Sequence, residues 1–221
     1  MKTYVKVLCL ALAWMSLSPV FSARAEARFG PRIPTAYFVT SGAGQSDQGI
    51  PPDPYETFSY DLALREAGIE NFNVVYYTSV LPPESYEVPL AEARKYFRHG
   101  SVLESIMAKA GGEKGDTVAA GVGRVWAVDG AGKSIGGFAA EYERVYAGRE
   151  VSKEQALADA KKQLTASLQH ELDIRGLKRK GELTFEVVSL TIEKNYGMVL
   201  AALGFVNFIY PDPFPLKAPG E

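Results

Sequence analysis

Between Asn71 and Glu84 the chain reads N-F-N-V-V-Y-Y-T-S-V-L-P-P-E, and its apolar pattern breaks in the middle. The opening β-branched and aromatic run predicts a buried strand. Thr78-Ser79 then puts two short hydroxyls where a core pattern asks for apolar side chains. Val80-Leu81 resume it, and Pro82-Pro83 end any ladder because proline has no N–H to donate. Upstream, Thr35 to Thr40 predicts a short strand running into a glycine-rich loop, Ser41 to Gly49. Tyr55 to Ala67 predicts a helix closed by Gly68, with Leu62, Ala63 and Ala67 as its apolar stripe.

Downstream, Pro89 to Arg98 and Ser101 to Ala110 each suit a short helix, the second ending at Gly111-Gly112. Asp116 to Val128 and Ser134 to Tyr146 predict two strands joined as a hairpin by Asp129-Gly130-Ala131-Gly132-Lys133. Ser152-Lys153-Glu154-Gln155 is a capping box. The helix it opens runs to about Arg175, with Leu157, Leu164, Leu168 and Leu172 on its buried side. Lys178-Arg179-Lys180 reads as a solvated basic loop. Glu182 to Lys194 and Met198 to Tyr210 predict the last strands, the second almost continuously apolar and therefore central. Pro211 to Glu221 reads as an extended tail. About six strands and two long helices, with late strands largely antiparallel, predict a layered α+β domain.

Composition narrows the picture. With 221 residues and 47% hydrophobic content, the chain can build one substantial core. A net charge of −2 offers no basic field for nucleic acid. Lys2 and Lys6, the apolar run Val7 to Trp14 and Ala23-Arg24-Ala25 have the form of a secretory signal peptide over residues 1–25. That predicts an exported, periplasmic protein with one domain over 26–221. A mis-called start would instead leave it cytoplasmic, and the apolar run is too short for stable membrane insertion. Cleavage after Ala25 takes Lys2, Lys6 and Arg24 from the 24 bases, leaving 21 against 26 acids, net −5. It also removes Cys9, the only cysteine, and with it any disulfide, thiol nucleophile or cysteine ligand.

Several motifs fail on inspection. Ser41 to Gly49 lacks the G-x-G-x-x-G spacing of a dinucleotide loop. Gly132-Lys133-Ser134 imitates the end of a phosphate-binding loop, but Ala127 stands where the first glycine belongs and a strand follows. His99 reads as a surface or capping residue and His170 as structural. Thr78-Ser79 remains: a hydroxyl pair at a strand end, locked by two prolines, where a peptide bond can be held out of its relaxed geometry or where the chain simply turns.

Thr78-Ser79-Val80-Leu81-Pro82-Pro83-Glu84 resembles the self-cleavage site of the pyruvoyl-dependent arginine decarboxylases. Ala36 to Ser41 resembles that family's first strand, and Tyr60-Asp61-Leu62-Ala63-Leu64 with Ala67-Gly68-Ile69 its first helix. Gly137-Phe138-Ala139-Ala140-Glu141-Tyr142-Glu143 resembles its glutamate-bearing strand, so the likeness spans roughly Pro34 to Tyr210. The resemblance implies an αββα sandwich assembled as a homotrimer or a dimer of trimers. It implies that the Thr78–Ser79 bond breaks and that Ser79 becomes a covalent pyruvoyl group, with no metal and no pyridoxal phosphate. That group would form a Schiff base with L-arginine on the way to agmatine and carbon dioxide. Glu141 matches the family's acid, Asn73 its asparagine beside the pyruvoyl group, and Asp61 the aspartate that pairs with the guanidinium. Thr40-Ser41 is a decoy, being followed by flexible glycines. Six residues of strand separate Asn73 from Ser79, roughly 20 Å if extended, so a contact needs a neighbouring subunit or a break in the strand. Two other readings stay open: a decarboxylase of another amino acid, and an unprocessed, non-catalytic secreted trimer of the same fold.

Overall fold

The computed structural model describes residues 31–210, so the expected signal peptide over 1–25 and the expected extended tail from Pro211 lie outside the described residues. The chain runs through β1 (Ile33–Pro34), β2 (Ala36–Ser46), α1 (Phe58–Ala67), β3 (Asn73–Tyr76), β4 (Val80–Leu81) and β5 (Tyr86–Glu87). It continues through α2 (Leu90–Ala93), β6 (Val102–Glu113), β7 (Thr117–Val128), β8 (Ser134–Tyr146), α3 (Lys153–Asp173), β9 (Lys178–Thr191), β10 (Tyr196–Phe205) and β11 (Phe208–Ile209). One sheet has the order β3-β6-β10-β2-β5 and a second β4-β8-β7-β9, while β1 and β11 pair separately.

Three apolar layers hold these elements together. Ala63 and Ala67 of α1 pack on Phe38, Met107 and Leu200 on the outer face of the first sheet. Ile106, Ala108, Val122, Ala139, Val199 and Ala201 fill the space between the sheets. Leu164, Leu168 and Leu172 of α3 pack on Val125, Phe138 and Ala140 on the outer face of the second sheet. The order is therefore helix, sheet, sheet, helix: the layered α+β sandwich that the pattern and the resemblance implied. Strand β10 contributes Val199, Ala201 and Leu203 to the inner layer and Met198, Leu200 and Ala202 to the outer one. Burial on both faces is why its sequence is continuously apolar. The pairs are antiparallel except at the edges of the first sheet, where β3–β6 and β2–β5 are parallel.

Several expectations need correction. The glycine-rich run after Thr40 is not a loop, for β2 extends to Ser46 in register with β10. Its glycines admit the helix: a Cβ on Gly42 would come within 2.1 Å of the Ala63 carbonyl oxygen, and one on Gly44 within 2.2 Å of that of Ser59. From Val102 onward the segment Ser101 to Ala110 is strand rather than helix, because Glu104, Ile106, Ala108 and Ala110 alternate onto the inner face while β10 pairs with it from Glu104 on. Lys178-Arg179-Lys180 is the start of β9, paired with Val128, Ala127 and Trp126. In α1, Leu62 is exposed and Ser59, Ala63, Leu64 and Ala67 form the buried side. Asn71 to Glu84 does not form one buried strand. Its first part, β3, is a short edge strand with most side chains open to solvent, and its second part, β4, belongs to the other sheet.

Candidate active site

The chain changes sheets at Thr78-Ser79. Tyr77 N–H donates to the Ser105 carbonyl at 2.8 Å, a final rung beside β6, and the Ser79 carbonyl accepts from Ala139 N–H at 2.8 Å, a first rung on β8. Thr78 is exposed and stands alone between the two ladders, while Ser79 is half-buried. Beyond it Leu81 is fully buried, and the β4–β8 approach is so close that a Cβ on Gly136 would sit 2.3 Å from the Leu81 carbonyl oxygen. Gly136 also has φ +103, so side chains are excluded there on both counts. Pro82 ends β4, and its carbonyl accepts from Ser85 N–H at 3.0 Å to close a turn. Both sides of the Thr78–Ser79 peptide are thus anchored in different sheets. The decoy pair Thr40-Ser41 lies in regular sheet, with Thr40 donating to the Ala67 carbonyl and Ser41 to Glu186.

Glu141 projects from β8 on the same face as Ala139, opposite Val122. Since Ser79 faces Ala139, Glu141 is its diagonal neighbour, about 7–8 Å away between Cα atoms. Water reaches Glu141, yet the surrounding protein desolvates its carboxyl and raises its pKa. A backbone hydrogen bond opposes the rise and the neighbouring Glu143 charge adds to it. Glu143 itself is fixed, accepting from Lys109 N–H at 2.9 Å. That contact spans from β8 to the edge of β6, which β3 no longer covers. The Lys109 ammonium pairs with Glu56 and lies 4.8 Å above the Tyr60 ring. Glu143, Arg144, Lys109, Gly111 and Tyr55 line an open recess of about 300 Å³ here.

The other two expected residues are not gathered onto Ser79 within one chain. Asp61 is exposed in the first turn of α1, on the outer side of the first sheet. Its neighbour Tyr60 has a phenol pKa pushed well up by burial first and then by a hydrogen bond with Tyr76. Asn73 is exposed, and its Nδ2 donates to the Gly100 carbonyl at 3.0 Å. From Asn73 the chain stays extended beside β6 as far as Tyr77, about 13 Å along the strand. The geometric difficulty in the sequence is therefore real in the single chain. His99 is exposed beside Asn71, and His170 faces solvent in the last turn of α3.

Sequence reasoning missed two buried charges. Glu104 lies in the inner layer at 4% exposure, accepting from the Tyr77 hydroxyl and paired with Arg32. Arg124 at 5% exposure pairs with Glu87 at 3.0 Å and donates to Thr184 at 3.1 Å, while its Nη1 has no hydrogen-bond partner. Glu104 was hidden by the helical reading of its segment; a period of two would have placed it on the face of Ile106 and Ala108. Among the described residues, no group of three or more His, Cys, Asp or Glu side chains converges to hold a metal ion.

The profile of the pyruvoyl-dependent arginine decarboxylase family matches residues 36–210. The pyruvoyl-dependent arginine decarboxylase AaxB of Chlamydia caviae is 46% identical over 194 residues, covering 86% of this chain and 99% of that protein. AaxB of Chlamydia pneumoniae is 46% identical over 190 residues, covering 84% and 97%. Pyruvoyl-dependent arginine decarboxylase 2 of Archaeoglobus fulgidus is 33% identical over 111 residues, covering 50% and 64%.

Proposed function

Because the chain belongs to the pyruvoyl-dependent arginine decarboxylase family, whose members are carbon–carbon lyases, we propose that it cuts itself between Thr78 and Ser79 and converts L-arginine to agmatine and carbon dioxide. The observation that carries this reading is the suspension of the Thr78–Ser79 peptide between two sheets, with Glu141 diagonal to Ser79. Ser79 Oγ attacks the Thr78 carbonyl carbon, so that a C–O bond forms as the C–N bond breaks and the freed amine takes the hydroxyl proton. Loss of the Ser79 Cα proton and of the Thr78 carboxylate then releases a fragment ending at Thr78. Water converts the remaining dehydroalanine to a pyruvoyl group and ammonia. The residues present suit this product: its carbonyl side is held by Ala139 N–H, and the facing side chain is only a methyl.

When in place, the pyruvoyl group supplies the electrophilic carbonyl that takes the substrate amine and accepts the electrons left by carbon dioxide, the task pyridoxal phosphate performs elsewhere. Glu141 holds the proton delivered to the substrate Cα, and its raised pKa favours the protonated form needed for that role. Asp61 accepts two parallel hydrogen bonds from the guanidinium. Asn73 hydrogen-bonds beside the pyruvoyl group of a neighbouring copy, which accounts for its distance from Ser79 within one chain. A homotrimer, or two trimers stacked, brings these parts together. Val75 and Tyr76 on β3 and Val80 on β4, each about half exposed, give the contact an apolar edge. Residues 1–25 direct export to the periplasm, and 26–221 form the single catalytic domain.

The substrate assignment is tested by measuring carbon dioxide and agmatine released from arginine, with lysine and ornithine as competitors. Asp61→Asn is expected to lower kcat/KM for arginine by about 2–5 kcal/mol of transition-state binding while self-cleavage persists. Unchanged arginine turnover in that variant would overturn the role of Asp61 and favour another amino acid as substrate.

A further inference from the structure

Glu104 has no part in the chemistry above, yet its position is costly. A carboxylate in an apolar layer stabilises a fold poorly, and replacing a buried ion pair with apolar side chains of similar size is often neutral or favourable. What distinguishes Glu104 is the group it holds. Its carboxylate accepts the Tyr77 hydroxyl and pairs with Arg32, which precedes β1. Tyr77 is also fixed at its backbone, through its N–H on Ser105, and its ring lies 5.6 Å from that of Phe205. The next fixed atom along the chain is the Ser79 carbonyl oxygen, on Ala139 N–H. One residue, Thr78, bridges the two fixed points.

We propose that Glu104 is a positioning residue for self-cleavage: through the Tyr77 side chain it fixes the upstream end of the crossing, so that the Thr78 carbonyl is presented to Ser79 Oγ. This rests on the reading that the chain cuts itself. The physical ground is leverage over a short span. With Ser79 held by the second sheet, a shift at Tyr77 is absorbed almost wholly by the two peptides of Thr78, and displacements near 1 Å can cost about a hundredfold in rate. The clamp also depends on the folded chain. Arg32 reaches it beside the β1–β11 pair, which joins Ile33 to Ile209, so the clamp is completed only when the two ends of the domain have met. Cleavage is thereby tied to completed folding.

The test uses the full chain, purified as precursor, with cutting at 78/79 followed over time by intact mass. Tyr77→Phe keeps the ring on Phe205 and removes only the hydroxyl; it is expected to slow cleavage at least about tenfold, the worth of one hydrogen bond. Glu104→Gln keeps an acceptor for that hydroxyl and is expected to cut within about threefold of wild type, whereas Glu104→Leu is expected to match or exceed the loss in Tyr77→Phe. Fold integrity is read separately, by thermal unfolding of Tyr77→Phe in the uncleavable Ser79→Ala background, where the midpoint is expected to stay within a few degrees of Ser79→Ala alone. Cleavage of Tyr77→Phe at the wild-type rate would overturn the clamp while leaving self-cleavage intact. A large drop in the unfolding midpoint would overturn it too, by making the contact a structural prop. A wild-type chain that never cuts would remove the self-cleavage reading itself, a result distinct from both.

Discussion

At the scale of single residues, the site divides into what one chain assembles and what it leaves apart. Ser79 and Glu141 are diagonal neighbours because β4 pairs with β8 and places them on one face two residues out of step. Glu141→Gln keeps the shape and hydrogen bonding of the side chain but has no proton to give. It is expected to yield a cleaved protein whose turnover is down by about 10²–10⁴-fold, checked by counting cut chains and product in the same sample. Full turnover would move the acid elsewhere, with Glu143 next to be tried. The pH dependence follows from sign. Desolvation and then the Glu143 charge raise the Glu141 pKa, so the protonated form persists to higher pH than for an ordinary glutamate. Turnover should fall on the alkaline side as that proton is lost, and Glu141→Gln should lack this limb. Ser79, Glu141, Asp61 and Asn73 were all legible as candidates because a resemblance marked them. Glu104 and Arg124 were not, since a buried charge announces itself only when the element that buries it has been identified.

At the scale of elements, the pattern succeeded where periodicity was long and bounded. The hairpin of β7 and β8 occupies the range read from its turn, and Asp129 Oδ1 closes that turn by accepting from Ala131 and Lys133 N–H. The capping box opens α3 as expected, with Ser152 and Gln155 satisfying one another's N–H groups. Failure came where tertiary context overrode local preference. Ser101 to Ala110 has helix-forming residues but becomes β6 because β10 pairs beside it. The glycines of β2 looked like a loop because their purpose, room for α1, is visible only against Ser59 and Ala63, 15 and 21 positions further along the sequence. Gly42→Ala tests that purpose directly. Its Cβ would overlap the Ala63 carbonyl, so a loss of about 1–3 kcal/mol is expected, seen as a fall of several degrees in the unfolding midpoint. An unchanged midpoint would mean that α1 does not sit as closely on β2 as described.

At the scale of the whole molecule, the two sheets act as a frame that the Thr78–Ser79 crossing spans. Tyr77 belongs to the first sheet and Ser79 to the second, so the forces that pack the inner layer also set the geometry at Thr78. Asn73 and Asp61 lie on the first-sheet side of the crossing, which is why the proposed site calls on a neighbouring copy. All of this converges on one event. The direct measurement is the intact mass of wild-type and Ser79→Ala proteins under denaturing conditions. Wild type is expected as two chains, one ending at Thr78 and one beginning at residue 79, the latter lighter than a serine-started chain by one ammonia and blocked to Edman sequencing. Ser79→Ala is expected as a single uncut chain, whereas Ser41→Ala should still be cut. A wild-type chain that stays whole after prolonged incubation at neutral pH would contradict the account and leave a non-catalytic scaffold of the same fold.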